Sequence, residues 1–251
     1  MGALASAAAE AMTPPVAETG AVATIVVFGD SITAATQQPE DKRWPAVLAR
    51  RLQETASDRR IHVINAGGNG DTSREGLARI ERDVLAHKPD AVTIEFGGND
   101  VTDEPARHVD LQEFERNLAE MVARIRQANP RTAIVMLTFP TVIDSRHARR
   151  SLGGGLDRYI ETYREAARRF ARRQGLALVD ADAVIRPHAA DYVLADGVHL
   201  TVDGNAALAQ AVEPVIRTAL APGVAGRVPR PDGPLGAVPA GVGQGLRLVP
   251  P

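Results

Sequence analysis

From about residue 23 onward the chain alternates between two kinds of apolar pattern. The first is a short, nearly continuous apolar run: "ATIVVFGD" (23–30), "IHVINAGG" (61–68), "DAVTIEFGGND" (90–100), "TAIVMLTFP" (132–140) and "LALVDAD" (176–182). Such β-rich runs predict strands. The second kind repeats with a helical period. Residues 43–54 carry Trp44, Val47, Leu48 and Leu52 on one stripe, and residues 72–87 open with Thr72 and Glu75 at capping-box spacing. Residues 111–129 form a strongly amphipathic segment stopped before Pro130, residues 156–175 end at a glycine, and residues 203–220 close the series.

Strands that alternate with helices predict a three-layer α/β/α sandwich, a parallel sheet covered on both faces with right-handed crossovers. One domain over residues 22–220 accounts for the pattern. Residues 1–21 read as a flexible lead-in, and residues 221–251 as a Gly/Pro-rich tail with no repeat period.

Composition narrows the classes. With 251 residues, 44% of them hydrophobic and 24% charged, the chain has soluble-globular proportions and enough length for one core. A net charge of −2 points to neither nucleic acid nor an anionic membrane as partner, since a phosphate footprint needs clustered positive charge. No run of about 18 apolar residues is present to span a bilayer. The absence of cysteine removes a thiol nucleophile, a disulfide frame and a zinc–thiolate site, and fits either redox compartment. The N-terminus lacks a basic region and carries Glu10 within its apolar stretch, a poor signal peptide. The expectation is a cytoplasmic location, with secretion after trimming as the other reading. No feature speaks to oligomeric state.

The chemistry gathers at the carboxyl ends of the strands, where ligands bind in a doubly wound sheet. Strand one ends in Gly29, Asp30 and Ser31, and strand two runs into "NAGGNGDTS" (65–73). Strand three ends in "GGND" (97–100), and the last strand–helix loop carries "DGVH" (196–199). Singly, each has an ordinary reading. A serine after a strand is usually a turn residue or cap, glycines before a helix make tight turns, asparagine after glycine is a turn former, and an isolated histidine is structural. The glycine spacing fits neither G-x-G-x-x-G nor a Walker loop. Together, on one rim, the residues supply a coherent set. A serine hydroxyl needs a base within hydrogen-bond reach, the base needs an orienting acid, and the developing oxyanion needs donors already in place. Ser31, His199, Asp196, Asn99 and small residues that expose backbone N–H groups meet each need. Asp30, Asp71 and Asp100 read as acceptors that fix loops.

These blocks resemble the SGNH family of GDSL-type esterases and lipases over roughly residues 23–220. "FGDSITA" (28–34) is similar to the first family block, with Ser31 matching the nucleophile, and "GNGDTS" (68–73) to the second, with Gly70 matching an oxyanion N–H donor. "GGND" (97–100) is similar to the third, with Asn99 as side-chain donor, and "DGVHLT" (196–201) to the last, matching Asp196 and His199 to acid and base. The resemblance implies a flavodoxin-like sheet of five parallel strands and a serine esterase acting through an acyl-enzyme. The oxyanion hole would be formed by Ser31, Gly70 and Asn99. No cofactor or metal is implied, and the six histidines include no pair at i, i+4 spacing. The missing G-x-S-x-G separates the chain from the α/β-hydrolase elbow.

The expected partner is a small-molecule or carbohydrate ester, with a short, acetyl-type acyl group, because no long apolar insertion suggests a tunnel for a fatty chain. Loops 97–110 and 138–155 should wall the pocket. In the second, Arg146, His147, Arg149 and Arg150 read as a solvated charged loop ahead of three glycines, and Trp44 as a core anchor. Acyl transfer by the same residues, a silent ligand-binding module and a nucleotide-binding flavodoxin-like protein are the competing readings.

Overall fold

The five apolar runs form one parallel sheet in the computed structural model, which describes residues 21–56, 58–147 and 155–221. The strands are β1 (Ala21–Gly29), β2 (Arg59–Gly67), β3 (Ala91–Glu95), β4 (Ala133–Leu137) and β5 (Ala177–Val179), in the flavodoxin-like order β2-β1-β3-β4-β5. Every pairing is parallel. The residues of β3 are all buried, as a strand covered on both faces requires, whereas β2 at the edge alternates between half-buried and exposed positions. The lead-in up to residue 20, the tail from residue 222, and Arg149, Arg150, Gly153 and Gly154 lie outside the described residues.

The helices are α1 (Ser31–Ala34), α2 (Trp44–Thr55), α3 (Ser73–Asp83), α4 (Leu111–Ala128), α5 (Leu156–Gln174), α6 (Ala181–Ile185), α7 (Ala189–Tyr192) and α8 (Val202–Ala219). From β1 the chain crosses one way to β2 and then back past β1 to β3, β4 and β5. Right-handed crossovers therefore set α2 on one face and α3, α4 and α5 on the other. Helix α8 returns to pack beside α2. The reversal leaves a crevice at the ends of β1 and β3.

Local chemistry sets the boundaries. Thr72 and Glu75 form the expected capping box at the start of α3. That helix is shorter than its periodicity predicts, because the chain breaks at Val84 into a 3-10 turn and Lys88 takes a left-handed conformation. Asp180 ends β5 early by capping α6 through the Ala183 N–H. Helices α1, α6 and α7 were not expected. All have five residues or fewer, too short to display a period. Trp44 is fully buried, its indole N–H 3.0 Å from the Ile32 carbonyl, so it anchors α2 beneath α1.

Two polar clusters hold the rim in shape. Asp100 is buried and accepts the Ser73 hydroxyl at 2.5 Å and the Ser73 N–H at 3.1 Å, while Asn117 of α4 donates to the same hydroxyl at 3.0 Å. This ties the β3 loop to the start of α3. Arg164 of α5 is buried with its charge. It donates to the carbonyls of Phe139 and Pro140 and to Asp157, and Asp157 in turn accepts the Val142 N–H. The loop after β4 is thereby pinned to α5, an arrangement that sustains a buried cation because its donors are matched by acceptors.

Burial pushes the Asp100 carboxyl up to about 6, although the Ser73 donors pull the other way. A carboxyl raised in the folded state contributes stability that is full below its unfolded pKa and fades as pH rises through the folded value. The Tm of the wild type, measured relative to Asp100→Asn by thermal denaturation, should therefore decline between about pH 4 and pH 7. A flat difference would remove Asp100 from this role.

Candidate active site

The first βα turn presents Ser31 at the head of α1. Asp30 caps that helix by accepting the Ile32 N–H at 2.9 Å, which fixes the turn and leaves Ser31 nearly buried at the crevice. As the first residue of α1, Ser31 has a backbone N–H without an intrahelical acceptor.

The last loop supplies its two residues as a locally closed unit. Val193 and Leu200 pair in an antiparallel bridge, and the Leu194 N–H bonds the His199 carbonyl at 2.8 Å. Within the turn, Asp196 Oδ1 accepts the N–H groups of Val198 and His199 at 2.9 and 3.0 Å. Gly197 adopts φ +79, and a Cβ there would come within 2.6 Å of the Ile143 carbonyl, so only glycine fits between this loop and the one after β4. The Ile143 N–H bonds the Gly197 carbonyl at 2.8 Å and fixes the approach.

Three side chains from two remote stretches meet here. Asp196 Oδ2 lies 2.7 Å from His199 Nδ1, and His199 Nε2 lies 3.0 Å from Ser31 Oγ. Partial burial would raise the Asp196 carboxyl, but the Val198 N–H and the His199 ring outweigh it and hold the group below its ordinary value. An ionised carboxylate only accepts, so in the neutral ring Nδ1 carries the hydrogen and Nε2 is the acceptor for the serine hydroxyl. The order of hydrogen bonds thus runs from hydroxyl to imidazole to carboxylate.

Asn99 and Gly70 border the same space. Asn99 Nδ2 lies 3.1 Å from both Asp30 Oδ2 and the Asp71 carbonyl. Arg107 donates to the Gly70 carbonyl at 2.5 Å, and Arg79 binds Asp71 at 2.6 Å and the Gly29 carbonyl at 2.8 Å. The two arginines brace the β2 loop from either side. The roles expected for Asp30, Asp71 and Asp100 as loop-fixing acceptors match these contacts.

The crevice holds a cavity of about 540 Å³. Ser31, Gly70, Asn99 and His199 line its floor, with Val101, Phe139 and Ile160 among the apolar walls and Arg107 and His147 at its polar side. The β3 and β4 loops supply walls as their lengths suggested. Arg146, expected in a solvated loop, instead donates to the carbonyls of Val193 and Ala190 and holds the histidine loop in place. Sequence reasoning also passed over Glu95, buried beside Asp30. An acid inside the apolar run "DAVTIEF" was the available signal.

Residues 27–207 match the GDSL-like Lipase/Acylhydrolase family. The esterase TesA of Pseudomonas aeruginosa is 30% identical over 200 residues, covering 80% of this chain and 90% of that protein. An arylesterase of Vibrio mimicus is 32% identical over 124 residues, 49% of this chain and 59% of that protein. The acetylxylan esterase Axe2 of Geobacillus stearothermophilus superposes with a TM-score of 0.64 at 26% identity, over 79% of this chain and 96% of the other. Among the described residues no helix is long and apolar enough to cross a membrane. The chain belongs to the GDSL-like lipase/acylhydrolase family and is a carboxylic ester hydrolase.

Proposed function

We propose that this hydrolase cleaves short-chain, acetyl-type esters of a small molecule or sugar through a Ser31–His199–Asp196 triad. The observation that carries the reading is the continuous hydrogen-bond line from Ser31 Oγ through both ring nitrogens of His199 to Asp196, opening onto a cavity with donors beside it.

Ser31 Oγ attacks the ester carbonyl while His199 Nε2 takes its proton, and Asp196 stabilises the imidazolium from the opposite side. The tetrahedral oxyanion is held by the N–H groups of Ser31 and Gly70 and by the Asn99 amide. Both amide hydrogens of Asn99 have acceptors before substrate arrives, so the oxyanion takes over the hydrogen directed at the Asp71 carbonyl, and the bond to Asp30 keeps the group aimed. His199 then protonates the leaving alcohol, and water repeats the sequence on the acyl-enzyme.

The short acyl preference is supported by the walls. Phe139 packs so closely over Gly98 that a Cβ there would lie 2.0 Å from the ring. The acyl side is thus confined by an aromatic face anchored to the donor loop. The sugar or small-molecule alcohol is supported by the likeness to Axe2, an acetylxylan esterase.

Ser31→Ala and His199→Ala should each lower kcat by about 10⁴–10⁶ with the fold retained by circular dichroism, and Ser31→Ala should abolish labelling by a fluorophosphonate probe. Normal turnover by folded Ser31→Ala would overturn the nucleophile assignment. Asn99→Ala should cost about 10²–10³ in kcat, and an unchanged rate would remove Asn99 from the hole. In a p-nitrophenyl ester series, kcat/KM should be highest for acetate and fall with chain length. A rise with chain length would overturn the short-acyl reading.

A further inference from the structure

Beneath the nucleophile turn lie two carboxyl groups that the proton relay does not use. Asp30 and Glu95 are 0% and 1% exposed. They lie at the ends of adjacent parallel strands: Gly29, one residue before Asp30, pairs with Glu95, and Thr33 of the Asp30-capped helix α1 bonds Glu95 Oε2, so the two carboxyl groups adjoin. Asp30 accepts the Ile32 N–H on Oδ1 and the Asn99 amide on Oδ2. Glu95 accepts the Thr33 hydroxyl on Oε2 at 3.2 Å, while its Oε1 is buried with no hydrogen-bond donor upon it among the described residues.

Two ionised carboxylates cannot share such a place. No lysine or arginine among the described residues pairs with either one, and Arg79 of α3, which reaches the Gly29 carbonyl next to Asp30, is committed to Asp71, Asp83 and two carbonyls. Like charges in contact and out of water leave one proton on the pair. A shared carboxyl proton also suits a buried Glu95 group that has an oxygen with no donor upon it among the described residues.

We propose that Glu95 is a positioning residue: it shares one proton with Asp30, and the shared proton keeps Asp30 a fixed acceptor for the Asn99 amide, so that the amide stays aimed into the cavity. This rests on the reading of Ser31 as nucleophile and Asn99 as oxyanion donor. Glu95 touches no substrate. It acts through Asp30, one residue before the nucleophile. The other titratable or charged groups around the pair are Asp100 on the β3 loop, Arg79 on the Gly29 carbonyl, Asp71 beyond Asn99, and His199 with Asp196 across Ser31. Burial lifts both members, Glu95 to about 7 and Asp30 well above its ordinary value.

Two measurements test it. Infrared difference spectra of the wild type at pH 8, where Asp100 is ionised, should show the band of a protonated carboxyl that is missing in Glu95→Gln. Absence of that band in the wild type overturns the proposal. In kinetics on p-nitrophenyl acetate, Glu95→Leu should lower kcat about ten- to a hundredfold with KM little changed, a partial version of losing an oxyanion donor. Glu95→Gln, whose amide replaces the proton donor, should stay within about threefold of wild type, because a neutral donor is all the pair requires of this position. The loss caused by Glu95→Leu should nearly vanish in an Asn99→Ala background, as expected for two groups acting on one interaction. An additive loss, or none, overturns the proposal. Should Glu95→Leu fail to fold, a Glu95→Gln variant as impaired as Asn99→Ala does the same. Ser31→Ala separates the two readings: if it is inactive while the Glu95 effects are additive, only the positioning role falls.

Discussion

The reversal of winding direction at β1 is the constraint on which the rest depends. Because every crossover is right-handed, moving first to β2 and then back to β3 forces the connecting helices to opposite faces and opens the sheet between the ends of β1 and β3. Ser31 leaves the first of those strands and Asn99 follows the second. No side chain had to reach far to bring a hydroxyl beside an amide, since neighbouring parallel strands deliver their ends to one place. The cavity exists because no strand–helix connection crosses this point.

What remains is electrostatic tuning, accomplished mostly by acids. Asp196 is kept ionised by backbone N–H groups and the ring it orients, whereas Asp100 and Glu95 are pushed toward their neutral forms by burial. Carboxyl groups within a small volume thus differ in charge according to their donors and their access to water. The cations nearby, Arg79 and Arg107, spend their hydrogen bonds on carbonyls at the ends of β1 and β2 and in the loop after β2, and on acids flanking the site. They shape the loops.

Much of this was legible in the sequence. The strands and the long helices announced themselves because burial on two faces demands continuous apolar runs, and burial on one face demands a 3.6 period. The four motif blocks could be assigned to one rim because three directly follow strands and the fourth lies in the last strand–helix connection. Helices α1, α6 and α7 were hidden, being shorter than the pattern needed to see them. Glu95 was hidden for a different reason: its meaning depends on Asp30, sixty-five positions earlier, and only the register of β1 against β3 brings the two together. Arg146 departs from the expectation because a charged residue in a loop usually faces water, whereas here the carbonyls of Val193, leading into the histidine loop, and of Ala190 in α7 lie within its reach. Spacing along a chain reveals periodic burial well and pairwise polar contacts poorly.

The bridge between Val193 and Leu200 has a consequence for how this region tolerates change. It makes the aspartate–histidine turn a self-contained clip whose internal dimensions are independent of the chain leading into it. Exposed side chains between Pro187 and Asp191 can change without altering the separation of acid and imidazole, provided the Ala190 and Asp191 carbonyls still meet Arg146 and Thr201 and the clip still lands against the Gly197–Ile143 contact and the start of α8. Diversity at those exposed positions is therefore free to reshape the outer surface while the proton path stays constant.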